Sequence, residues 1–127
     1  MAGELDDVVK EFVSAIDAMD VARMAAGMTD DAQGVDEISR RWLRGRAALE
    51  EYLGQLAAAV TDVHTRVRDV EERVSGDGAI VTCWIDQDYL PQGEERHVSA
   101  PTTMAFRRDG GEWRLTLFHS IPIPEHG

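Results

Sequence analysis

The sequence predicts an α+β fold, with helices in the N-terminal half packed on one face of a curved antiparallel sheet. Three observations predict it. Apolar residues recur at helical spacing through most of the first sixty positions. Beyond residue 61, four runs rich in β-branched and aromatic residues read as strands. Turn residues separate those runs, and helices first with strands after is the pattern of α+β domains. At 127 residues with 43% hydrophobic content, the chain makes a single domain, 1–127, able to bury a core without staples.

Taken in order, Leu5, Val8, Val9, Phe12, Ile16 and Met19 share one helical face, with acids in the first turn where they favour the helix dipole. Asp20 is positioned to cap a short second helix, "VARMAAGM", ending near Gly27. Thr29 to Ile38 reads as a turn and a short strand, and "RRWLR" as a second. Gly45 then lets the chain turn into "RAALEEYLGQLAAAV", an alanine-rich helix with Leu49, Leu53, Leu56 and Val60 on one face. The strand runs are "VHTRVRDVEERV", "AIVTCWIDQDYL", "RHVSAPTTMAFRR" and "EWRLTLFHSIPI". "SGDG" at 75–78, "PQGE" at 91–94 and "RDGGE" at 108–112 turn them into a meander.

Composition excludes several functions. With 13 Lys and Arg against 24 Asp and Glu, the net charge is −11. A phosphate backbone or an anionic membrane surface wants the opposite sign, so neither nucleic acid nor membrane is an expected partner. The basic cluster "RRWLRGR" reads as a partner for nearby carboxylates. The single cysteine, Cys83, forms no internal disulfide, and the acidic N-terminus lacks the features of a signal peptide, so a cytoplasmic setting is expected. No run approaches the ~18 apolar residues of a membrane span. No histidine pair has metal-ligand spacing on a helix.

"MTDDAQGVDE", "LRGRAALEEYL" and "AFRRDGGEWRLTLFHS", in that order, resemble the nuclear-transport-factor-like superfamily, which includes ketosteroid isomerases and SnoaL-like polyketide cyclases. The resemblance covers nearly the whole chain. It implies a cone-shaped sheet with the three helices on its concave face, a pocket for a small apolar molecule, and a homodimer through the outer sheet face. In ketosteroid isomerases an Asp ending the first strand is the general base, and "DDAQGVD" places Asp36 there. An oxyanion hole of Tyr and protonated Asp completes that chemistry. Here the Tyr position holds Phe12, which cannot donate, and the Asp position holds Thr102, a weaker acid. No cofactor is implied.

Strand alternation, with the register implied by the resemblance, puts Ala100, Thr102 and Met104, then Thr82, Trp84 and Asp86, then Thr116, Phe118 and Ser120 toward the pocket, together with Asp36, Phe12 and Trp42. A slip of one residue exchanges the faces and brings in His119 for Ser120. The opposite parity is also apolar, which favours a second chain on the outer face. Candidate catalytic residues are therefore Asp36, Asp86 and His119, and candidate substrate contacts are Phe12, Trp42, Trp84, Thr102, Met104, Phe118 and Ser120. Against these stand plainer roles: Asp36 paired with Arg40 or Arg41, Asp86 at a solvated strand end, His119 packed in a core or interface, and the tryptophans as walls. Two functions stay open: proton abstraction by Asp36 beside a carbonyl in an isomerase or cyclase, or a ligand-binding or assembly module without catalysis.

Overall fold

Leu5 is wholly buried and starts helix α1 (Asp6–Asp17), whose Val9 and Ala15 face the interior. Asp20 caps α2 (Val21–Ala26) by accepting from the Arg23 N–H at 3.2 Å. Strands β1 (Met28–Asp36) and β2 (Leu43–Arg44) pair antiparallel. Gly45, at φ 93°, then makes the left-handed step into α3 (Arg46–Ala59). The meander follows as β3 (Val60–Ser75), β4 (Gly78–Pro91), β5 (Arg96–Asp109) and β6 (Glu112–Ser120). The computed structural model describes residues 3–91 and 94–123. The turn expected at 91–94 thus includes two residues outside that range, and the final strand stops at Ser120, short of Ile123.

The six strands lie in the order β2-β1-β6-β5-β4-β3. The sheet is mixed, which corrects the expected antiparallel one: the long path through β2, α3 and the meander returns β6 beside β1 in the same direction. One core joins helices and sheet. Leu5, Val9, Met24 and Leu49 pack against Val81, Cys83, Ile85 and Met104. Burying these side chains is worth ~1.5–3 kcal/mol for each large one.

The β4 register also differs from expectation. Residues directly opposite in an antiparallel ladder share a face. Cys83 lies opposite Thr102, Ile85 opposite Ala100 and Val81 opposite Met104. Val81, Cys83 and Ile85 are therefore the buried set, and Thr82, Trp84 and Asp86 point outward. An irregularity where Ala105 and Phe106 meet Leu117 and Leu115 shifts β6, so Leu115 and Phe118 both turn to the core side.

Candidate functional site

Between the inner sheet face and the helices lies a cavity of about 110 Å³. Its walls are mostly apolar: Phe12 and Ile16 from α1, Leu49 and Leu53 from α3, Ile85 and Phe118 from the sheet. Phe12 and Phe118 meet with ring centroids 5.5 Å apart at 58°. Gly34 keeps the β1 wall thin, since a Cβ there would stand 3.1 Å from Leu49 Cδ2. The polar lining consists of Gln33, Asp36, Glu37, Tyr52, Gln87, Tyr89 and Ser120. Such a ratio of apolar wall to few polar groups is usual for a small-molecule site.

Asp36 ends β1, and its carboxylate folds the chain into the turn that follows. Oδ1 accepts from the Ile38 N–H at 3.0 Å and the Ser39 N–H at 2.8 Å, while the Asp36 N–H donates to Ser39 Oγ at 3.1 Å. From α3, the Tyr52 hydroxyl reaches both carboxylate oxygens, at 2.8 and 2.9 Å. Burial, reinforced by the Asp36 charge, holds the Tyr52 phenol far above its ordinary pKa, so it is a neutral donor. The expected alternative of an ion pair with Arg40 or Arg41 is not how the side chain is held; its partners are the uncharged donors just named.

A second carboxylate–phenol pair stands beside the first. The buried Tyr89 donates from its hydroxyl to Glu37 Oε1 at 2.7 Å. Burial comes first and Glu37 second in raising its pKa. On the sheet, Thr102 Oγ1 lies 3.1 Å from the Ala100 carbonyl oxygen and 2.8 Å from Ser120 Oγ. A Thr102 proton directed at the carbonyl makes Ser120 the donor in that contact, and one directed at Ser120 makes Thr102 the donor.

The structure thus brings Asp36, Phe12, Phe118 and Ser120 together at the cavity. Thr102 and Met104 are buried behind it. Four candidates lie elsewhere. Asp86 and Trp84 are on the outer face because of the β4 register: Arg68 bonds Asp86 at 2.8 Å and lies over the Trp84 ring at 5.1 Å. His119, opposite Thr103, stacks on the half-exposed Trp42 with centroids 6.1 Å apart, so neither lines the cavity.

Sequence reasoning missed Tyr52, Glu37 and Tyr89. Tyr52 was within reach, because it follows Leu49 by three positions on the apolar stripe of α3. Glu37 and Tyr89 carried no such signal: only folding places β4 across from the end of β1. Among the described residues no group of three or more His, Cys, Asp and Glu side chains could hold a metal, and no helix is long and apolar enough to cross a membrane.

A family model described as the SnoaL-like domain matches residues 5–124. Solved structures share the fold. A protein of Streptomyces avermitilis, provisionally named a dehydratase of the NTF2-like family, is 19% identical, with 96% of each chain covered and a TM-score of 0.88. A ketosteroid isomerase-like protein of Erwinia carotovora is 18% identical, with 95% of each chain covered and a TM-score of 0.81. An NTF2-like protein of unknown function from Pseudomonas putida is 19% identical, covering 93% of this chain and 83% of that one, with a TM-score of 0.81. No functionally curated protein matches the chain.

Proposed function

The chain belongs to the SnoaL-like domain family, and from that premise we propose that its cavity binds a small apolar carbonyl compound from which Asp36 takes a proton. One observation supports the reading: the Asp36 carboxylate lines a mostly apolar cavity, fixed by its turn and by Tyr52. A base must be held still and within reach of the carbon it deprotonates. Oδ1 takes three donors, which leaves Oδ2 the oxygen with capacity for a proton. Transfer of a C–H proton to Oδ2 gives a carboxylic acid and an enolate. The Tyr52 hydroxyl, less attracted to a neutral acid, then serves the enolate oxygen, a task the resemblance assigned to the position of Phe12. Isomerisation, cyclisation and dehydration all begin with this proton transfer.

The test is deuterium uptake. Cyclic ketones and enones incubated with the protein in D2O are expected to exchange α-protons, read by NMR. Asp36→Asn should lose at least about a hundredfold in rate, and Tyr52→Phe a smaller factor. Exchange that survives unchanged in Asp36→Asn defeats the reading.

A second reading, binding without turnover, is favoured by one observation. Phe12 packs on Phe118, so α1 contributes no donor. Ligands that raise the melting temperature without exchange would decide for it. In either case the expected partner is a second copy on the outer sheet face, where Ile80 and Trp42 are each nearly half exposed. Sedimentation at micromolar concentration should show a dimer, and a monomer would remove that part.

A further inference from the structure

The polar groups of the cavity share a sense that the apolar lining hides. The phenol protons point at carboxylates: Tyr52 at Asp36, Tyr89 at Glu37. The Ser120 and Thr102 hydroxyls pair with each other at 2.8 Å, and Thr102 also reaches the Ala100 carbonyl at 3.1 Å. A hydroxyl has one proton and two lone pairs. With the phenol protons engaged, Tyr52 and Tyr89 have no proton left over for a resting ligand. The carboxylates offer lone pairs to the cavity, since each can accept about four hydrogen bonds and Tyr89 occupies one on Glu37. The two glutamine amides serve either sense.

Charge runs the same way. The described lining residues include Asp36 and Glu37 and no Lys, Arg or His. Arg96, whose charge acts on Tyr89, is exposed and outside the lining. Around the cavity, the chain carries a net −11. A carboxylate or phosphate entering it would lose its water, meet two acidic side chains in a mostly apolar surround and find no cation among the described lining residues.

Resting on the reading of this cavity as a ligand site, we propose that it selects apolar molecules bearing hydrogen-bond donors, alcohols and phenols above all, and rejects acids. The substrate of the proton transfer is then a hydroxylated carbonyl compound, neither a carboxylic acid nor a phosphate ester. Glu37, held by Tyr89, is the specificity-determining residue. It accepts the ligand hydroxyl while Asp36 stays available to the C–H bond.

Matched probes on one skeleton test this at pH 7: 1-naphthalenemethanol, its methyl ether and 1-naphthoic acid, with affinities measured by calorimetry. The alcohol is expected to bind at least about tenfold tighter than the ether, the worth of one good hydrogen bond to a charged acceptor, and the acid not measurably. Glu37→Gln, which puts an amide donor where an acceptor stood, should shrink the alcohol–ether ratio to about threefold or less. The inference is overturned if the acid or the ether binds as tightly as the alcohol, if Glu37→Gln leaves the ratio unchanged, or if no probe binds. The expected binding order without deuterium exchange would leave donor selectivity standing and defeat only the role of Asp36 as a base.

Discussion

Acids on the two faces of this sheet have different partners. Outside, Asp86 is bound by Arg68 at 2.8 Å, and Asp88 by His97 at 2.6 Å and Arg66 at 3.4 Å. Inside, Asp36 and Glu37 are bound by phenols. The outer acids are neutralised: hydrogen bonds from Arg68, then Ser99, hold Asp86 below the usual carboxylate range, and His97 does the same first for Asp88. The inner pairs hold an acid in a mostly apolar surround with no Lys, Arg or His among the described lining residues. The difference teaches that an acid in a strand is a candidate base only when its partners leave it able to take a proton. Asp86 is held by the Arg68 cation, and Asp36 by the uncharged donors Tyr52, Ile38 and Ser39.

The largest break in this comparison is Asp36→Ala. It strips three donors of their acceptor, Tyr52 O–H and the N–H groups of Ile38 and Ser39. The exposed Ile38 N–H turns to water, and the half-buried phenol is left without its carboxylate partner. A loss of about 2–3 kcal/mol in urea unfolding is expected. A loss under about 0.5 kcal/mol would show that the inner pair is not formed in solution.

Cys83 reports on the inner face with a smaller effect. Burial pushes its thiol up to about 11 from an ordinary value of 9.0. In the unfolded chain the thiol ionises near 9, while the folded chain keeps its proton until about 11. Stability should therefore fall as pH rises between those values, and Cys83→Ala should flatten that part of the curve. At pH 8 a thiol reagent should label native protein far more slowly than unfolded protein, and equal rates would place Cys83 on the open face.

Asp86→Asn should have the smallest effect. Because the folded carboxyl lies below its ordinary 3.8, its contribution is present above that value and lost as pH falls through the lower folded one. The pair with Arg68 is near the surface, so the difference in melting temperature between variant and wild type should vanish in 1 M salt. A difference that persists in salt would move Asp86 from the solvated set to the buried one.

The sequence by itself determined the elements. Helical spacing from Leu5 to Met19, the Asp20 cap, Gly45 before α3 and the turns at 75–78 and 108–112 are local signals, and the chain folds at those places as they direct. The end of β1 at Asp36, with Phe12, Phe118 and Ser120 around it, was legible through the resemblance and strand alternation. Tertiary structure decided the rest. The face that β4 presents depends on which residue lies opposite Thr102, and a single-residue change of register moved Trp84 and Asp86 outward. The parallel pairing of β1 with β6 joins segments some eighty positions apart. The phenol partners of Asp36 and Glu37 come from α3 and β4, with nothing local to announce them. Periodicity is a property of neighbours along the chain. Register and the sharing of protons are properties of neighbours in space, and those form only when the sheet closes over the helices.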